Sequence, residues 1–203
     1  MPLQNRVLAT GDIVADPARG LFMGNRGILH DGDQRLGMAR WRHKAWIICV
    51  LRHKNWHRDV MQPGNYTELF FLDEAVALAA GHRPCALCRR RAYDAYRDAA
   101  GFKDTAKAMD DDLHAARAIP RRFEQRRHAM DIRALPNGAI ILQDVPKVVL
   151  SNALRPVTPE GYGPPEVRPK SGEISVLTPP PTLKALREGY RPELHLSAGG
   201  LFF

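Results

Sequence analysis

The feature that most constrains this chain is the stretch Ala75 to Arg90, AVALAAGHRPCALCRR, where an alanine-rich run stops and two cysteines follow at Cys-x2-Cys spacing. Glu74 to Ala80 are good helix formers, so a short helix is expected there. Gly81 stands where a helix needs a left-handed residue to stop, and Pro84 blocks a restart and holds Arg83 extended. Cys85 then falls at the head of a tight turn and Cys88 at the start of the next helix. Two thiols so placed form half of a zinc knuckle. The same geometry lowers thiol pKa, so a redox pair is the competing reading.

At 203 residues the chain can bury a core as one domain or two small ones. No apolar run reaches the length of about 18 residues that a membrane span needs. The N-terminal residues lack the charged-then-apolar pattern of a signal peptide, so no membrane partner is expected. Three cysteines with one close pair do not read as a secreted disulfide framework, and a reducing, cytoplasmic setting is expected. The formal charge of +8 favours a polyanionic partner, nucleic acid first.

Residues 1 to 30 are punctuated by Gly11, Gly20, Gly24 and Gly27. Arg19, Arg26 and these glycines could cradle a phosphate, but their spacing matches neither a Walker loop nor a dinucleotide fingerprint, and tight turns between short strands are the simpler reading. His30 to Asp33 has the composition of a hairpin turn. Ala45 to Leu51, AWIICVL, is the strongest strand pattern in the chain and predicts burial on both faces. Cys49, His53 and His57 follow at intervals of four, which places them on one face if the strand runs on. Cys49 by itself reads as a buried core thiol. His53 and His57 are candidate metal ligands, because a zinc site normally takes four protein ligands and no second cysteine pair exists.

A strand at Thr67 to Leu72 precedes the helix and the Gly-x-Arg-Pro-Cys-x2-Cys series. Over residues 66 to 90 this segment, with ELFFLDEAVALAAGHRPCALCRR at its heart, resembles the second half of the zinc-binding domain of Ada-type DNA repair proteins, which repair methyl phosphotriesters. Members of that family carry a strand, a short alanine-rich helix and then Gly-aromatic-Arg-Pro-Cys-x2-Cys; here His82 takes the aromatic position. The resemblance implies zinc on Cys85 and Cys88, DNA as the favoured partner, and a role in DNA repair or processing. The family's upstream Cys-x3-Cys pair is missing. At comparable distance the chain has His53-x3-His57, with Cys49 one step further back, so the two histidines are positional substitutes. Pro84-Cys85-x2-Cys88 also matches half of the zinc deaminase signature, but the upstream His-x-Glu it needs is replaced by His57-Arg58-Asp59, whose carboxylate is one methylene shorter.

The section from 89 to 133 is the most charged. RRRAYDAYRDAAG continues as a helix ended by Gly101, and a second helix around LHAARA is broken by Pro120. Arg89, Arg90 and Arg91 would be positioned by the zinc turn. With Arg121, Arg122, Arg126 and Arg127, and with Tyr96 and Phe123 nearby, they fit phosphate and base-stacking contacts. The alternative is a solvated surface balanced by Glu124 and Asp110 to Asp112. Cys49, His114, His128 and His195 are further possible zinc ligands.

From residue 135 the texture is of strands, with an Asn137-Gly138 turn, a strand after it and another at Lys147 to Leu150. Residues 155 to 181 are rich in Pro and Gly and read as an irregular ordered loop. Ala77-Leu78-x2-Gly81-x-Arg83-Pro84 then returns as Ala185-Leu186-x2-Gly189-x-Arg191-Pro192, which suggests two related strand-helix-turn units in which each arginine braces its own turn. The expected fold is α+β, with short, mostly antiparallel strands and short helices. Its expected parts are 1–100 with the zinc site, 101–134 as an arginine-rich helical connector, and 135–203. The leading functional reading is a zinc-containing nucleic-acid-binding protein in which zinc is structural. One alternative is a metal-dependent hydrolase such as a nuclease, with Asp59 or Glu68 as base. The other is a metal-free structural protein.

Overall fold

A computed structural model describes residues 1–55 and 59–199. The first half builds a six-stranded sheet from β1 (Gln4–Val7), β2 (Ile13–Ala15), β3 (Phe22–Asn25), β4 (Ile47–Val50), β5 (Leu69–Phe71) and β6 (Arg83–Pro84), in the order β2-β1-β5-β3-β4-β6. The pairs β1–β5 and β4–β6 are parallel; the other pairs are antiparallel. A two-stranded ladder of β7 (Ala118–Ile119) and β8 (Glu124–Gln125) follows. The second half builds an antiparallel sheet from β9 (His128–Asp131), β10 (Ile140–Leu142), β11 (Pro146–Leu150), β12 (Ala153–Pro156), β13 (Glu166–Val167) and β14 (Glu173–Val176), ordered β13-β12-β11-β10-β14-β9. Four helices complete the fold: α1 (Glu74–Ala79), α2 (Arg90–Ala100), α3 (Ala106–Arg117) and α4 (Pro180–Arg187). This is the expected α+β class with short, mostly antiparallel strands.

The two Gly-x-Arg-Pro segments occupy equivalent places. In each sheet a hairpin (β3–β4 or β10–β11) pairs along its first strand with a returning antiparallel strand (β5 or β14), and that strand leads into the helix. Both helices then end in the same Schellman pattern. The Gly81 amide donates to Leu78 O and that of His82 to Ala77 O, both at 2.9 Å; Gly189 and Tyr190 repeat this onto Leu186 and Ala185 at 3.3 and 2.9 Å. The glycines have φ of +85° and +98°, which a side chain disfavours. The units diverge at the outer strand, since β1 runs parallel to β5 whereas β9 runs antiparallel to β14. They diverge also at the arginines. Arg191 donates to Leu186 and Tyr190 carbonyls of its own turn, whereas Arg83 reaches Asp110 of α3 in a buried bidentate pair at 2.9 and 2.8 Å.

The three expected parts draw on one apolar cluster. Val7, Ile48 and Phe71 from the first, Leu113 and Ile132 from the second, and Ile141, Val149 and Leu183 from the third are all packed into it. A fully buried side chain of this kind contributes about 1.5–3 kcal/mol. Residues 118–131 differ from the helical connector expected of them: α3 ends at Arg117 and the chain continues as β7, β8 and β9. Pro120 forbids helix continuation, and β9 finds a ladder partner in β14 that local propensity does not reveal. Among the described residues, no helix is long and apolar enough to cross a membrane.

Candidate metal centre

The sheet ends in a way that gathers thiols. Strand β6 is two residues long and lies beside β4, and the next amide, that of Cys85, still bonds to Ile48 O at 2.9 Å. The chain then turns. The Arg89 amide bonds back to Cys85 O at 3.1 Å, and α2 begins. Cys85 and Cys88 are thereby held against β4, where Cys49 projects from the strand. The sulfurs of Cys49, Cys85 and Cys88 all lie within 4.8 Å of one another, and none is in a disulfide. Tetrahedral zinc with Zn–S bonds of about 2.3 Å requires S···S separations of about 3.8 Å, so only a small contraction separates this cluster from a three-thiolate metal site.

The three thiols are electrostatically linked. Cys85 is held far below the ordinary thiol range by hydrogen bonds from the Cys49 and Cys88 side chains, helped by the amides of Cys88 and Leu87, the latter 3.4 Å from its sulfur. Cys49 is pushed up by the same contacts to Cys85 and Cys88 and then by burial. Cys88 is drawn down by Cys49 and up by Cys85 and burial, with a net rise, while the Val50 amide favours its charged form. A divalent cation bound by three such thiols would displace their protons to solvent.

Of the residues singled out as ligands from the sequence, Cys85 and Cys88 stand together. His53 is half-buried and is not one of the three mutually close ligands, and His57 lies outside the described residues. Cys49, a core thiol when taken alone and one of the further possible ligands, is the third member of the cluster. Only Ile48 of β4 is fully buried, and the strand is not covered on both faces as its composition suggested. The face shared by Cys49, His53 and His57 required the strand to run on, but β4 ends at Val50. His128 donates through Nε2 to Ala116 O, His195 bonds Ser197, and His114 packs edge-on to Trp41 and Trp46; none joins the cluster. Glu68, the candidate base, accepts from the Met61 amide at 2.7 Å.

The arginines divide into two groups. Arg89 is turned inward: it makes a bidentate pair with Glu74 at 2.8 and 3.0 Å and stacks over Phe22 at 4.3 Å, so its charge is used inside the fold. Arg90, Arg91, Arg121, Arg122, Arg126 and Arg127 are exposed. Arg90 pairs with Asp94 and Arg122 with Glu124, while Arg126 reaches Ala118 O. Arg91 and Arg127 have no hydrogen-bond or ion-pair partner among the described residues. Arg121 and Arg122 sit on the β7–β8 turn and not on a helix. The chain matches no protein-family model, no curated protein and no solved structure.

Proposed function

We propose that Cys49, Cys85 and Cys88 bind one zinc ion, with the fourth position supplied from the His53–His57 stretch, and that the protein binds nucleic acid, DNA in first place. The observation that carries the metal part is the convergence of three sulfurs from β4 and from the turn before α2. Zinc is favoured over other divalent ions because soft thiolates select it and a closed four-ligand set suits its tetrahedral preference. In this role zinc is structural. It ties the β3–β4 hairpin to the start of α2 and fixes the helix that displays Arg90 and Arg91.

The nucleic-acid part is supported by the charge of +8, by the exposed arginines of α2 and of the β7–β8 turn, and by the resemblance of residues 66–90 to the Ada-type domain. Elemental analysis of protein purified under reducing conditions without chelator tests the first part, and about one zinc per chain is expected. Fluorescence anisotropy with labelled single-stranded and duplex DNA at two salt concentrations tests the second. Affinity is expected to fall steeply with salt, because arginine–phosphate contacts release counterions. Metal-free protein, or the absence of any DNA binding at low salt, rejects the corresponding part.

A further inference from the structure

A cleft of about 510 Å³, within the range usual for small-ligand sites, opens between the Gly11 turn after β1, the loop before β4 and the β7–β8 ladder. None of the three cysteines lines it. Its inner wall is made by Trp46 and Arg26, each 2% exposed.

Arg26 carries a buried charge that, among the described residues, no carboxylate contacts. Its Nε donates to His82 Nε2 at 3.2 Å, and its amino groups donate to Gly11 O at 3.2 Å and Ala80 O at 3.3 Å. Its guanidinium carbon lies 4.2 Å from the centre of the Trp46 ring. Arg117 lies 4.1 Å from the same ring and donates to the carbonyls of Gly81 and Lys44. Among the described residues, neither arginine has a carboxylate within ion-pair distance. Asp110 is paired with Arg83, while Asp12 acts on Arg26 only from beyond ion-pair distance. Two buried cations satisfied only by neutral groups are costly to fold and give the cleft a positive field, so an anion entering it is favoured. Arg127 at the rim is exposed and has no partner among the described residues. Of the two acids that line the cleft, Glu124 is paired with Arg122, and Asp12, which accepts from the Thr10 hydroxyl, keeps its charge and offsets part of that field.

The remaining wall is aromatic. Trp41 meets Phe123 edge-on with ring centres 5.0 Å apart, and meets Trp46 at 5.2 Å. Both Trp41 and Phe123 are only half-buried. Phe123 has φ of +54° and Arg121 of +68°, conformations rare for bulky residues, so the β7–β8 turn holds strain to present this ring at the cleft. Gln125 donates through Nε2 to Ala79 O and Leu177 O, which leaves its Oε1 as an acceptor without a partner.

We propose that this cleft takes one nucleotide, an aromatic base joined to a phosphate, with the base against Trp41 and Phe123 and the phosphate at Arg127 in the field of Arg26. The inference deepens the nucleic-acid reading and rests on it for the source of the nucleotide, an unstacked unit of a single strand. Aromatic faces beside guanidinium groups are the chemistry by which single strands are held without a sequence code. A duplex offers no free base face to them.

The test is quenching of tryptophan fluorescence, with a thymidine homo-oligonucleotide of roughly ten residues, a duplex of the same length and thymidine 5′-monophosphate as probes. The variants are Arg127→Ala and Phe123→Gly; the second removes the ring while relieving the left-handed strain, so the fold is retained. The single strand is expected to bind about tenfold more tightly than the duplex, and each variant to weaken it about tenfold. Single strand and duplex bound alike, with neither variant changing either, would overturn the cleft and leave the nucleic-acid reading standing. Binding of the mononucleotide with the same losses in both variants, but of neither polymer, would support the nucleotide site and reject the nucleic-acid reading. Binding of no probe overturns both.

Discussion

Arg89 and Glu74 face each other as a closed bidentate pair, with N–O distances of 2.8 and 3.0 Å and side chains 8% and 1% exposed. Glu74 also accepts from the Glu193 amide at 3.0 Å and from the Tyr190 hydroxyl, while the neighbouring Asp73 accepts from the Tyr162 hydroxyl at 2.6 Å and the His195 amide at 2.9 Å. The residue after Cys88 is therefore connected, through the start of α1, to the last segment of the chain. Glu74→Gln leaves Arg89 as a buried cation without a countercharge, and a loss of about 3–5 kcal/mol is expected. Urea unfolding measures it. A loss under about 1 kcal/mol would mean that the pair behaves as an exposed one.

The cysteine cluster makes a sharper claim about Cys49 than about the other two, since Cys85 and Cys88 already share a motif. Cys49→Ser is expected to reduce bound zinc as deeply as Cys85→Ser. If zinc sits at a hundredfold above its dissociation constant, it contributes about 2.7 kcal/mol, and chelation then lowers Tm by roughly 5–10 °C. Thermal melts with and without chelator, beside elemental analysis of both variants, check this. Full zinc occupancy in Cys49→Ser would return Cys49 to the role of a core thiol.

What was legible in the sequence was local. Both Gly-x-Arg-Pro stops, the α1 boundaries and the β10–β11 hairpin follow from residues within a few positions of one another. What was missed depends on partners far along the chain. Arg89 was read as a phosphate ligand because its sequence neighbours are arginines, yet its partner Glu74 lies fifteen residues back. Cys49 taken alone reads as core, and as a ligand only among several options, because AWIICVL looks buried on both faces; a two-residue β6 leaves room beside β4 for the thiols to gather. Arg26 and Trp46 are 20 residues apart and meet Arg117 only in three dimensions, so the cleft they line gave no motif.

The two equivalent glycines offer a matched comparison. A Cβ at Gly189 would meet nothing within 4 Å, so Gly189→Ala carries only the left-handed penalty of about 1–2 kcal/mol. A Cβ at Gly81 would lie 2.5 Å from Arg117 Cδ. That arginine cannot easily yield, because it is bonded to Gly81 O and Lys44 O and stacked on Trp46. Overpacking adds roughly 1–3 kcal/mol, so Gly81→Ala is expected to be the more damaging by that amount. Equal shifts in the urea midpoints of the two variants would show that Arg117 is not fixed.

Burial of His82 makes the fold less stable towards acid. The ring is fully buried, and desolvation, then the charges of Arg26 and Arg117, hold its pKa well below the ordinary value of 6.5. His114 is shifted the same way, to about 4, by burial and by Arg117 and Lys44. The unfolded chain takes up a proton on each ring below about pH 6.5, while the folded chain refuses it. The unfolded state then binds more protons, so stability is unaffected above that pH and falls as pH drops below it. For His82 the slope approaches about 1.4 kcal/mol per pH unit. In His82→Gln the Gln Oε1 can still accept from Arg26, and this slope is removed even if the starting stability changes. Urea unfolding of both proteins between pH 7.5 and roughly 4.5, at one fixed zinc concentration, measures the difference in slope. Parallel curves would mean that His82 is protonated in the folded state, which its hydrogen bond from Arg26 Nε to His82 Nε2 forbids.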